Sequence, residues 1–323
     1  MLNPTTLKEA QERAMLKTKE LLEKKPLTLP QDLATVRLKR LKEKELEIVA
    51  PKTGYMELDL LIKGFIPGHL YTLTGDTNIG KSSLAANFSV RVAKQLNRSV
   101  LYVALEPDTT IIDYLASAYH DKRFDELTED DLDLSGMNID VLGKEGVDSV
   151  ERMVELIENY NRYDLIVIDH IGYFITSQNN WIQQQSNAIK KLVSVAKKKL
   201  CAVMIIAHLR KRAKNDKKDY VPTSDDISGS GAFKQDSTEV MIATRTLDPN
   251  DADRLTYTNK GKLFITKTKA GPNGVIDLTF SEKSARIDSD IDMEVKKGLS
   301  VEKASENLTV ENMSVDDIEN VFN

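Results

Sequence analysis

The stretch Tyr71–Ser83, YTLTGDTNIGKSS, decides how the rest of the chain is read. It continues a short apolar run, Leu70 to Thr74, that predicts a β-strand. Gly75, Asp76, Thr77, Asn78, Ile79, Gly80, Lys81 and Ser82 then fit G-x-x-x-x-G-K-[ST] at every fixed position, and Ser83 follows. The segment Leu84 to Leu96 is amphipathic and predicts a helix. Strand, glycine-bearing loop and helix together make the context of a phosphate-binding loop. The glycines let the backbone turn its N–H groups toward phosphate oxygens, and the helix N-terminus favours an anion. Lys81 is expected to reach the β- and γ-phosphates, and Ser82 to hold Mg²⁺. The implied cofactors are ATP, or another nucleoside triphosphate, and Mg²⁺.

Composition narrows the setting of this loop. The chain has 323 residues, 41% hydrophobic and 29% charged, which suits one large domain or a domain with appendages. A single cysteine, Cys201, rules out a disulfide framework and a zinc module built on cysteines; within its apolar run it reads as a core residue. A reducing, cytoplasmic setting fits, and no apolar run approaches membrane-spanning length. The formal net charge of −5 argues against a uniformly basic nucleic-acid binder, while leaving room for a local basic lining.

Along the chain, residues 1–50 are rich in Lys, Arg and Glu. Leu16, Leu21 and Leu22 suggest one helix and Ala34 to Glu47 a second, separated by Pro26 and Pro30. They are expected to form a helical arm, either solvated or packed on a neighbouring subunit. From 51 to 285 strand-like runs alternate with helical ones. The strands are Leu70–Thr74, Ser99–Leu105, Leu165–Asp169, Ala202–Ala207, Glu239–Thr244, Lys262–Thr268 and Val275–Phe280; Val150–Asn159 and Gln183–Lys199 read as helices. That alternation predicts an α/β domain with a mainly parallel central sheet, helices on both faces and an antiparallel edge hairpin. Residues 286–323 read as an acidic, flexible tail with a terminal aromatic, Phe322. Such a tail suits either solubility or docking on a basic partner.

Three further residues sit at predicted strand tips. Asp169 ends Asp164-Leu-Ile-Val-Ile-Asp169, where a carboxylate would join the Mg²⁺ shell. Taken alone, that run also describes a plain core strand. Glu106 follows Leu101–Leu105 and could polarise an attacking water, or stand in an exposed loop. His208 ends Val203–Ala207 and could contact the γ-phosphate. His170, beside Asp169, reads as a structural histidine.

These blocks, taken in order, resemble the DnaB-like hexameric replicative DNA helicases with a RecA-like motor. The resemblance runs from Thr53-Gly-Tyr-Met-Glu-Leu-Asp59 through GDTNIGKSS, LYVALE, DLIVIDHIGYF and IIAHLRK to SGSGAFKQDSTEVMIATR and GKLFITKTKAGPNGVIDLTF. The IIAHLRK and SGSGA elements look most like the phage helicase–primase and Twinkle branch. The resemblance implies a RecA-like P-loop NTPase that hydrolyses ATP, forms a hexameric ring, moves on single-stranded DNA and unwinds duplex in replication. It implies Glu106 as catalytic carboxylate, His208 as γ-phosphate sensor, Gln235 as the link from nucleotide to DNA, and Arg245 and Phe280 as the clasp on the base. Lys267 and Lys269 match a hairpin Lys-x-Arg pair that reaches the neighbour's ATP site; here the second position is lysine, a point charge without a fork. DNA contact is implied for Gly229, Ser230, Gly231, Lys234 and Arg210, the last opening a basic run to Lys218. Relatives carry arginine just before the Gly-Ser-Gly, where this chain has Ser228.

A minimal motor is expected, without primase module or N-terminal collar. Primase, polymerase or single-strand-binding protein are candidate partners of the tail. A different class, a non-unwinding RecA-like ATPase acting as recombination mediator, loader or switch, would keep the same nucleotide residues.

Overall fold

The computed structural model describes residues 33–105, 110–160, 163–174, 180–209, 223–227, 230–248 and 256–296. Its strands are β1 (Leu70–Gly75), β2 (Val100–Ala104), β3 (Ile139–Gly143), β4 (Leu165–Asp169), β5 (Ala202–His208), β6 (Glu239–Leu247), β7 (Tyr257–Lys267), β8 (Gly274–Phe280) and β9 (Ile287–Ser289). They join in one nine-stranded sheet of order β3-β2-β4-β5-β1-β6-β7-β8-β9. The first six in that order pair in parallel. The remaining pairings, β6 to β9, are antiparallel.

Side chains of the inner strands alternate between two cores. Tyr71, Leu73, Tyr102, Val167, Met204 and Met241 face one; Leu70, Leu101, Val103, Ile166, Ile205 and Ile242 face the other. The period-2 pleat makes this sorting automatic for strands buried on both faces. Helices α1 (Leu33–Val49), α2 (Met56–Ile62), α3 (Lys81–Ala93), α4 (Ile111–His120), α5 (Glu129–Leu132), α6 (Val150–Asn159), α7 (Trp181–Lys199), α8 (Ser230–Asp236) and α9 (Asp290–Lys296) complete the described elements. Residues of α2, α3 and α4 fill the first core, and those of α6, α7 and α8 the second.

The arm helix α1 starts and ends close to the expected span and buries none of its side chains. Arg98 ties its end down, donating to the Val49 carbonyl at 2.7 Å while pairing with Asp164 at 2.9 Å. The earlier expected helix, around Leu16–Leu22, lies outside the described residues.

Three differences from the sequence reading have physical causes. Helix α3 begins at Lys81, not Leu84, because the polar Lys-Ser-Ser of the loop forms its first turn; it ends at Ala93, and the chain then turns away through Asn97, which has a left-handed φ of 59°. The edge strand β3 is half-exposed, and its one short alternation, Ile139-Asp140-Val141, is too brief to betray it. The boundary expected at 285 falls inside the sheet: Phe280 pairs with Ile287, and β9 is buried.

That last segment is fixed by α3 and the turn before α2. The Arg91 guanidinium pairs with Asp288 at 2.7 Å and Asp292 at 3.1 Å and lies 4.0 Å over the Tyr55 ring. Tyr55 donates its hydroxyl to the Ile287 carbonyl at 2.8 Å, and Ser289 donates to Glu57 at 2.6 Å. Asp59 closes the same corner by accepting from Thr53 N at 2.7 Å and Gly54 N at 3.3 Å. The tail beyond 296 lies outside the described residues.

Candidate nucleotide-binding site

Strand register brings the candidate residues to one level. Gly75 pairs with His208 on one side and Ala243 on the other, while Ala104 pairs with Asp169. The loop after β1 and the tips of β2, β4 and β5 therefore open onto one crevice, at the carboxyl ends of parallel strands where ligands of open α/β sheets bind. Gly75 must be glycine: a Cβ there would lie 2.5 Å from the Ala243 carbonyl oxygen and closer still to Ile79 Cδ1. Gly80, with φ +94°, makes the turn into α3.

Lys81 is buried and folds back over its loop, donating to the carbonyls of Gly75 at 3.1 Å and Asp76 at 2.7 Å. Burial lowers its pKa, against the pull of Asp169 and Asp76. Asp169 is buried opposite. Burial pushes its carboxyl upward, while hydrogen bonds from the Ser82 and Tyr102 hydroxyls hold it down. The Tyr102 hydroxyl donates at 3.0 Å. The Ser82 hydroxyl and the Asp169 carboxylate are thus in direct contact and all-oxygen. That donor set fits Mg²⁺, which takes one or two carboxylates plus phosphate oxygens rather than a full protein cage. His208 is exposed at the tip of β5, its ring edge-on to His170 with centroids 4.5 Å apart.

A cleft of about 520 Å³ joins these groups to Arg245 and Phe280. Arg245 lies 4.4 Å over the Phe280 ring and donates its Nε to the Thr258 carbonyl at 2.6 Å. Phe280 is buried, packed against Gly80 and Gly261. Gly75, Asp76, Thr77, Asn78, Ile79, Gly80, Lys81, Ser82, Ser83, Asp169, His208, Arg245 and Phe280 therefore all stand at one end of the sheet.

The remaining candidates gather elsewhere. Lys267 pairs in register with Val240, near the opposite end of the central strands. Its ammonium donates to the carbonyls of Lys234 at 2.6 Å, Gln235 at 3.4 Å and Ser237 at 2.5 Å, closing the C-terminal end of α8. Burial and then the neighbouring Lys269 lower its pKa. Lys269 is exposed just past the end of β7. Lys234 is exposed and pairs with Asp225 at 2.8 Å; Gln235 and Gly231 are exposed, and Ser230 opens α8. Glu106, Arg210, Ser228 and Gly229 lie outside the described residues.

The sequence reading missed Tyr102, Tyr114, Phe124 and the 281–287 segment, all at or beside the cleft. The parity of β2 puts Tyr102 on the face of Ala104 and so could have found it. Tyr114 and Phe124 carry no local signal.

The sheet, the loop and the paired Ser82 and Asp169 define a P-loop nucleotide-binding domain with the RecA-like α/β architecture. A profile of the DnaB-like helicase C terminal domain matches residues 51–289, and the chain belongs to that family. It is 25% identical over 267 residues to the replicative DNA helicase DnaB of Mycoplasma genitalium, covering 75% of this chain and 57% of that protein. To the replicative DNA helicase DnaC of Bacillus subtilis it is 24% identical over 262 residues, with the same shares, 75% and 57%. The chain thus spans little more than half the length of these relatives. Among solved structures, one ATPase domain superposes with a TM-score of 0.67 at 18% identity, covering 80% of this chain and 99% of that one. A DnaB-like replicative helicase, described with its interactions with primase, gives 0.67 at 16% identity, covering 86% and 76%.

Proposed function

We propose that this chain is the motor of an ATP-driven DNA helicase that assembles as a ring, moves along single-stranded DNA and unwinds duplex during replication. The observation that carries the reading is the convergence of Lys81, Ser82, Asp169 and His208 at adjacent strand ends. Lys81 binds the phosphate tail, Ser82 and Asp169 hold Mg²⁺, and Glu106 directs the attacking water. The bound Mg²⁺ supplies charge neutralisation on the transferring phosphoryl group.

The position of the hairpin cations supports assembly. Lys267 and Lys269 stand near the opposite end of the sheet from their own nucleotide cleft, so a phosphate that they serve belongs to another copy. The exposed arm helix, with Leu33 87% and Ile48 81% accessible, supplies an apolar face for such a neighbour. We read Gly231, Lys234 and Gln235 on α8 as the DNA-facing surface; the hydrogen bonds from Lys267 to the Lys234 and Gln235 carbonyls support a mechanical link between nucleotide and DNA. Among the described residues no helix is long and apolar enough to cross a membrane. Primase is the favoured partner, because a structural relative is described with one.

Strand displacement on forked DNA tests the function. ATP with Mg²⁺ is expected to release the displaced strand, and Lys81→Ala to abolish release. ATP hydrolysis that is stimulated by single strands without any displacement would instead support the non-unwinding reading.

A further inference from the structure

Tyr55, Tyr71 and Tyr102 are all fully buried in the first core. A ring that only filled space there would need no hydroxyl, and a buried hydroxyl without a partner is costly. Tyr55 and Tyr71 donate theirs to main-chain carbonyls, of Ile287 at 2.8 Å and Gly64 at 2.9 Å, and so tie down segments beside the sheet. Tyr102 instead donates to a side chain of the cleft, Asp169 Oδ2, at 3.0 Å.

The sheet aims that hydroxyl. Ala104 pairs with Asp169, and Tyr102 stands two residues back on the same face, paired with Val167. A tyrosine is long enough to bridge that step. Leu105 N also donates to the Asp169 carbonyl at 2.7 Å, so β2 and the residue after it hold Asp169 by main chain and side chain together. A phenol whose ring is packed on every side cannot follow a carboxylate that turns. It fixes the rotation of the carboxyl group and engages Oδ2, while the Ser82 hydroxyl bonds to the same group. The orientation of Asp169 is therefore set by the core of the protein.

We infer that Tyr102 is a positioning residue that locks the Asp169 carboxylate and thereby makes the site favour Mg²⁺ over Ca²⁺. This rests on the nucleotide-site reading above and adds how the chain selects its cation. Mg²⁺ demands near-ideal octahedral geometry, whereas Ca²⁺ accepts roughly six to eight oxygens in a flexible arrangement. A carboxylate held at one angle serves the exacting ion, and one free to rotate serves the tolerant ion nearly as well. Groups that orient a metal ligand are typically worth about 10- to 100-fold in metal affinity.

Calorimetric titration of the full chain with a non-hydrolysable ATP analogue tests this in three buffers, containing Mg²⁺, Ca²⁺ or EDTA. Tyr102→Phe keeps the ring and removes the hydroxyl. It is expected to weaken the analogue about 10-fold or more with Mg²⁺, by less than about threefold with Ca²⁺, and by less than about twofold in EDTA. In an Asp169→Asn background the same substitution is expected to change the Mg²⁺ affinity by less than about twofold, because Tyr102 acts through that carboxylate alone. An unchanged affinity with Mg²⁺, an equal loss with both metals, or the full loss repeated in the Asp169→Asn background overturns the assignment. A loss in EDTA as large as that in Mg²⁺ overturns it too, since it marks damage to the core. Wild-type protein that binds the analogue no tighter with Mg²⁺ than in EDTA refutes the metal site itself, an outcome separate from a failure confined to Tyr102.

Discussion

Lys81 and Glu106 are expected to fail differently. In the proposed mechanism Lys81 would hold charge on the ground-state phosphates, whereas Glu106 would act on the attacking water alone. Lys81→Ala should therefore weaken binding of the ATP analogue, while Glu106→Gln should keep that binding and lose steady-state turnover by about 10²-fold or more. Normal turnover in Glu106→Gln would remove it from the chemistry. Asp59 makes a separate claim about stability. Burial raises its carboxyl from 3.8 to about 6, outweighing the backbone hydrogen bonds that favour the charged form. A raised carboxyl binds its proton more tightly in the folded state. Its contribution is thus complete below the unfolded value and is lost as pH rises through about 6. By pH 7 the loss amounts to about 3 kcal/mol. Asp59→Asn cannot titrate, so the stability of wild type relative to this variant should fall between pH 4 and pH 7 in urea unfolding. Parallel pH profiles would show that Asp59 is not the titrating group.

At the scale of elements, what could be read from the sequence depended on whether the signal was local. Strand β4 was legible because four apolar residues end in a carboxylate, and β1 because the phosphate loop fixes its end. The start of α3 was hidden because Lys81 and Ser82 are polar and their apolar neighbours begin only at Leu84. Strand β9 was unreadable as part of the sheet: Ile287–Ser289 is short and acidic, and its burial depends on contacts to Arg91, Tyr55 and Glu57 far away in sequence. The same holds for Lys267, whose three carbonyl partners lie on another element. Arg91 is the residue on which the C-terminal strand depends. Arg91→Met removes the guanidinium that bridges Asp288 and Asp292, leaving Arg286 at 3.1 Å as a cation on Asp288, and is expected to cost about 3 kcal/mol. Limited proteolysis of that variant should open new cleavage between 286 and 296 before the rest of the fold is cut. Stability within about 1 kcal/mol of wild type would show that the segment is held by β-pairing alone.

Across the whole molecule, the two groups of candidate residues occupy opposite ends of the central strands. The phosphate loop, Asp169 and His208 stand at the carboxyl ends, and Lys267 with α8 near the amino ends. Two copies that meet end to edge could therefore build one nucleotide site from both, and a ring would repeat that contact until it closes. A cation supplied in trans contributes on the order of 10³–10⁵ in rate, and it makes hydrolysis depend on assembly. Lysine at 269 offers charge without a bidentate fork, so a slow ATPase is expected rather than a fast one. The most direct measurement mixes two variants, each defective on one side of the proposed shared site. Lys269→Ala subunits keep an intact phosphate loop, and Lys81→Ala subunits keep an intact hairpin. Mixed rings should regain some interfaces carrying both Lys81 and Lys269, and ATP hydrolysis above that of either parent is the expected result. A mixture that forms rings yet hydrolyses no more than its parents would contradict a nucleotide site shared between subunits.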